Sequence, residues 1–328
     1  MPHDSLLLWK ALQGIICVYK PAEISVKSLR KKLITKLCKD LSELDVKLRH
    51  PNPKLTALPV SSDPHTNSIV ETESSENALE DISSSAISSG ISHIDLRYHP
   101  LVVGPRYLDE DLTVSWSNFL GWNTSGVLLF GLRSGTQYAK FIRENRSTRA
   151  YRVTGSFGKA TDNGFKTGKV VEKSTWKYIN QNHIQQILSA MQASHQKKVF
   201  EISGVDIHSQ TAYELAAKGP IRPVNSEVPI IYNLKCLDYE GPGFTIEVQC
   251  INENENYLTT LIHDIGIRLH STAHTTAIKC IRHSCFTLEH ALLPKHWNLQ
   301  NITKNMDMCS KLLRDNESVI NQTSAVLN

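Results

Sequence analysis

The sequence predicts an α+β fold, and three features carry that expectation. Apolar runs with strand character alternate irregularly with helical stripes of leucine and isoleucine, so the order is mixed rather than a strict β-α-β series. GIICVYKP (Gly14 to Pro21) and GVLLFGL (Gly126 to Leu132) are apolar enough for a sheet covered on both faces. VPIIYNLKCLDYE and FTIEVQCI meet through Gly241-Pro242-Gly243, which predicts an antiparallel hairpin.

Taken in order, the first strand ends at a Lys20-Pro21 corner. A helix follows with Leu29, Leu33, Leu37 and Leu41 on one stripe, and Lys27, Arg30, Lys31 and Lys32 turned away. LGWNTSGVLLFGL, Leu120 to Leu132, reads as a polar turn running into a buried strand, a place where α+β enzymes keep catalytic side chains. A helix from Gly135 to Asn145 and an alternating strand YRVTGSFG come next. NQNHIQQILSAMQ places Ile184, Ile187, Leu188 and Met191 on a helical stripe behind an Asn180 or Asn182 cap. TAYELAAKG predicts a short helix ending at Gly219, which suits the left-handed position. After the hairpin, YLTTLIHDIGIRL turns Leu258, Leu261, Ile262, Ile265 and Leu269 inward. There is no internal repeat.

With 328 residues, 40% of them hydrophobic, the chain can bury a sizeable core, and no apolar run reaches the roughly 18 residues of a membrane span. Its start, MPHDSLLLWKAL, shows no evident transit peptide. The seven cysteines include no C-x-x-C pair, which predicts a reducing compartment; Cys17, Cys236 and Cys250 fall in apolar strand patterns as core residues. His270 and His274 have i, i+4 spacing but no third ligand nearby, so no metal site is predicted. The net charge of +4 conceals an uneven distribution. Leu55 to Leu96 carries −7 without a Lys or Arg, leaving +11 on the remainder. A basic globule predicts a polyanionic partner, most often nucleic acid. The expected organisation is an N-terminal part (1–50), a disordered acidic Ser-rich insertion (51–95), the rest of the folded domain (96–304) and a flexible tail (305–328).

Phosphate-loop and nucleophile-elbow signatures are absent from the sequence. A dispersed set of segments is present instead: GIICVYKP, NTSGVLLFGL, RAYRVTGSFGKATDNG, SHQK, TAYELAAKGPIRPVN, the paired strands to Cys250, and YLTTLIHDIG. In this order they resemble the TruB family of RNA pseudouridine synthases, in particular its animal mitochondrial members. The resemblance implies a mixed, largely antiparallel sheet with flanking helices and a central RNA-binding cleft, with no cofactor and no metal. It implies structured, uridine-containing RNA as substrate, the mitochondrial matrix as location, and RNA-processing or ribosome-assembly proteins as company. The family reaction detaches uracil from C1′ of a flipped-out uridine and rejoins it through C5, and one aspartate is indispensable to it.

Laid on this sequence, the family motif Leu-Asp-x-x-Ala-Ser-Gly-Val-Leu becomes Leu120-Gly121-Trp122-Asn123-Thr124-Ser125-Gly126-Val127-Leu128, and the aspartate is Gly121. The family's Tyr-x-Arg-Thr segment becomes Tyr257-Leu258-Thr259-Thr260, and the arginine that pairs with the aspartate is Thr259. Losing one partner would strand a buried charge at about 3 to 5 kcal/mol, whereas losing both can be nearly neutral. The double loss predicts RNA binding with impaired chemistry. The alternatives are an active isomerase using a rescue carboxylate such as Asp109, Glu110 or Asp111, and a protein-interaction scaffold. By resemblance Tyr151 stacks on the target base, Tyr257 lines the pocket, and Lys20, Lys159, His195, Lys197 and Arg222 face the cleft. Glu23 stands where the Lys-Pro corner is usually followed by glycine.

Overall fold

The computed structural model describes residues 5–49, 104–217, 221 and 227–316. The insertion assigned to 51–95, Gly219, Arg222 and the chain after 316 lie outside these described residues. In chain order the elements are α1 (Ser5–Ala11), β1 (Gly14–Lys20), α2 (Val26–Arg49), β2 (Val114–Trp116), β3 (Thr124–Leu132), α3 (Gly135–Glu144), β4 (Arg149–Phe157), β5 (Lys159–Thr161), β6 (Val170–Lys173), α4 (Gln181–Ile202), α5 (Gln210–Ala217), β7 (Ile230–Glu240), β8 (Gly243–Ile251), α6 (Glu255–Arg268), β9 (Ala273–His283), β10 (Phe286–Thr287) and α7 (Leu299–Asp315).

An eight-stranded sheet runs β1-β3-β9-β4-β8-β7, with β2 on β3 and β10 on β9, while β5 and β6 form a separate ribbon. The α+β expectation holds: each pairing is antiparallel except that of β3 with β9. The two GVLLFGL and GIICVYK runs lie side by side, Lys20 opposite Gly126 and Gly14 opposite Leu132. All nine residues of β3 are buried, because it has strand neighbours on both edges and α3 packs against it. Gly126 is required where the parallel pairing ends, since a Cβ there would run into the backbone carbonyl of Cys280.

Helices cover the sheet where their stripes predict. Leu29, Leu33, Leu37 and Leu41 are fully buried, and Asn180 caps α4 by accepting from the His183 N–H at 2.9 Å. The hairpin joins β7 and β8 as expected. All seven cysteines are free; Cys17, Cys236 and Cys250 are in the core.

Two sequence expectations are corrected. The central strand β9 was not foreseen, because AHTTAIKCIRH dilutes its apolar alternation with Thr, His and Lys. The tail boundary at 305 also moves, because residues 299–315 are the helix α7, which buries Ile302, Met306 and Cys309 against β1. Asn305 is part of that packing: its side chain accepts from the Cys17 N–H at 2.9 Å and donates to the His290 carbonyl at 2.9 Å. A polar-looking segment is therefore anchored by its buried stripe.

Candidate active site

The turn before β3 is held from beneath by β1. Lys20 ends that strand with 0% of its surface exposed, and its ammonium donates to the carbonyls of Pro21 (3.1 Å), Trp122 (3.4 Å) and Thr124 (2.7 Å). Burial lowers its pKa to about 8, while the Glu255 carboxylate pulls the other way. Lys20 therefore fixes the turn from a fully buried position. The Lys-Pro corner adds a backbone bond from Glu23 N–H to the Trp122 carbonyl at 2.8 Å. Glu23 makes it with φ +62°, the left-handed conformation that the family's glycine suits. A non-glycine residue held in this conformation leaves strain in the backbone.

From above, the turn is held by the first residue of α6. Asn254 caps this helix through the Tyr257 N–H at 2.8 Å, and Glu255 follows it in the position where the helix dipole favours a carboxylate. Glu255 reaches across the chain to accept from Asn123 Nδ2 at 3.1 Å and Thr124 Oγ1 at 2.7 Å. Its side chain fills the space over Gly121. A Cβ on residue 121 would meet Glu255 Oε2, with Cδ at 2.5 Å and Cβ at 2.6 Å. Gly121 has no left-handed φ, so space rather than backbone conformation demands a glycine there.

Thr259 lies one turn further along α6, about 6 Å along the axis from Glu255. It is buried, donates to the Asn256 carbonyl at 2.8 Å, and packs under Gly164 beside a cavity of about 520 Å³ that Asn163, Asn256 and His263 help line. Tyr257 is half-buried; its hydroxyl and His195 Nε2 are 3.2 Å apart, which joins α4 to α6. Burial, and Lys198 beside it, lower the His195 pKa.

The model of the TruB family pseudouridylate synthase N-terminal domain matches residues 114–255, which contain the turn, β3 and the carboxylate over Gly121. The chain is 33% identical over 302 residues to the mitochondrial pseudouridylate synthase TRUB2 of Xenopus tropicalis, covering 92% of this chain and 87% of that protein. It is 34% identical over 291 residues to the Homo sapiens protein of the same name, covering 89% of this chain and 82% of the other. The chain belongs to the TruB family. Among solved structures, an archaeal box H/ACA sRNP Nop10-Cbf5 complex is similar at 12% identity and a TM-score of 0.43, over 96% of this chain and 63% of that one.

Against the TruB pattern, the placement of the other named residues is uneven. Tyr151 is 3% exposed, and its hydroxyl donates to Glu253 Oε1 at 2.6 Å. Arg149 pairs with the same oxygen at 2.6 Å, so the tyrosine ring and both charges form one buried cluster. Burial, and then Glu253, push the Tyr151 hydroxyl well above its ordinary pKa. Its expected stacking face is thus committed to core packing in this structure. Lys159 and Lys197 are exposed, the latter 3.7 Å from Glu201. Asp109 accepts from Thr35 Oγ1 at 2.6 Å and Asp111 from the Leu108 N–H at 3.0 Å.

Sequence reasoning missed Glu255, Glu253 and Trp122 as parts of the site. Trp122, next to Gly121, leaves 56% of its surface exposed.

Proposed function

We propose that this TruB-family protein binds a uridine in structured mitochondrial RNA and isomerises it slowly. The observation that carries this reading is the intact junction between the β3 turn and α6, kept by Lys20, Asn123, Thr124 and Glu255 although positions 121 and 259 have lost the family's Asp and Arg. Trp122 and Tyr257 supply the stacking surfaces, each flanking the Gly121–Glu255 contact in sequence; base stacking is worth about 1 to 3 kcal/mol. The basic charge outside the acidic insertion supplies the phosphate attraction. Mitochondrial location is proposed from the relatives' names. Without the Arg that orients and ionises a carboxylate, turnover falls well below that of an ordinary family site.

The test is binding of stem-loop RNA measured across a range of salt. Affinity should fall steeply with salt through counterion release, and Trp122→Ala should weaken binding by about 1 to 3 kcal/mol. Salt-independent binding, or none, would leave a protein scaffold and remove RNA from the account.

A further inference from the structure

We infer that Glu255 supplies the carboxylate for uridine isomerisation, delivered from the start of α6 into the space that Gly121 leaves open. This rests on the reading that the cleft holds a uridine. A Cβ at residue 121 would lie 2.5 Å from Glu255 Cδ, so the carboxylate enters the volume from which the family's aspartate side chain would grow. The acid stands on the helix instead of the turn, one turn before Thr259, where the family motif has its arginine.

The local chemistry suits this role. Asn123 and Thr124 each donate one hydrogen bond to the carboxylate and fix its orientation. Glu253 is unsuited, being fully buried against Arg149 and Tyr151.

In the step itself, a Glu255 oxygen attacks C1′ as the C1′–N1 bond breaks, and the bonding pair leaves with N1 of the uracil anion. The freed ring turns, C5 attacks C1′, and the carboxylate departs with its electron pair. The proton on C5 is then lost to solvent while N1 gains one, so substrate and product are isomers and no co-reactant is consumed.

Geometry also sets the expected rate. An aspartate's carboxyl carbon would stand roughly 1.5 Å beyond its own Cβ, whereas Glu255 Cδ is 2.5 Å from that Cβ site. The two carboxyl groups therefore differ in position by more than half an ångström on any approach, and a displacement of about 1 Å can cost about a hundredfold in rate.

A purely structural clamp makes a different prediction, and Glu255→Gln separates the two. The glutamine amide oxygen still accepts from Thr124, and its NH₂ donates to Asn123 once that amide turns over, so the junction survives without the charge. Single-turnover conversion of a uridine stem-loop RNA is measured for wild type, Glu255→Gln and Glu255→Asp, beside RNA affinity and thermal melting. The inference expects Glu255→Gln to bind and melt as wild type does and to lose conversion by about a hundredfold or more, with Glu255→Asp in between. Unchanged conversion in Glu255→Gln, or a wild type that binds the RNA and converts none of it, would overturn the inference. Failure of the wild type to bind RNA at all would instead remove the reading beneath it, and the inference with it.

Discussion

Adding one methyl group at Gly121 tests whether that glycine and Glu255 occupy one space. The alanine Cβ would lie 2.6 Å from Glu255 Cβ and 2.5 Å from Cδ, closer than side-chain rotation alone relieves, because Glu255 Cβ is fixed to the helix. Glu255 must therefore withdraw and surrender its bonds to Asn123 and Thr124. Charge-assisted bonds contribute about 1.5 to 3 kcal/mol each when buried and less when half-exposed, as here. Overpacking adds about 1 kcal/mol or more, and the alanine's reduced freedom in the unfolded chain returns about 0.4 to 1 kcal/mol. The net expectation is a loss of about 2 to 4 kcal/mol. In a Glu255→Gly background the obstruction and both bonds are already gone, so the same alanine should cost less than about 1 kcal/mol. Urea unfolding of the four proteins gives the coupling energy directly. Additivity within about 0.5 kcal/mol would refute the shared space, because sites that do not touch behave that way.

Three further outcomes follow from the same geometry. Gly121→Asp with Thr259→Arg should remain slow in RNA isomerisation, since the new aspartate collides with Glu255; adding Glu255→Gly should raise the rate, and a fast double variant would contradict the placement. Glu23→Gly should stabilise the protein by about 1 kcal/mol in urea unfolding by relieving a left-handed non-glycine residue, and a loss of stability would show that the Glu23 side chain matters more than its φ of +62°. His283 is buried, and desolvation followed by Arg149 lowers its pKa to about 3. The folded state then refuses a proton that the unfolded chain accepts near 6.5, so this residue removes about 2 kcal/mol of stability between pH 7 and pH 5. His283→Leu should lack that part of the pH dependence, and identical slopes for both proteins would be the contrary result.

Much of this architecture was legible because local patterns and tertiary packing agree. Leu29 to Leu41, Asn180 with its helix, and the Gly241-Pro242-Gly243 hairpin each state their structure within one segment. The strand β9 did not, since Thr and His interrupt its alternation and its place between β3 and β4 is decided by distant partners. In the site, the missing Asp and Arg were visible at positions 121 and 259 from the motif. What replaces them was not. Glu255 lies 134 residues from Gly121, and its proximity depends on how α6 meets the turn. Lys20 and Tyr151 were given surface roles by motif, yet three carbonyls and a buried carboxylate engage them instead. Side-chain direction at a strand end depends on neighbours that a motif does not name.

The central claim is that a cleft without its family Asp–Arg pair still isomerises uridine through Glu255. Its most direct measurement is a nucleotide-resolved map of pseudouridine in mitochondrial RNA sequences transcribed in vitro without modification, after incubation with purified wild type or with Glu255→Gln. The account predicts slow conversion at a small set of stem-loop uridines by the wild type and none of those sites with Glu255→Gln. Identical maps from the two proteins, whether both empty or both full, would contradict it.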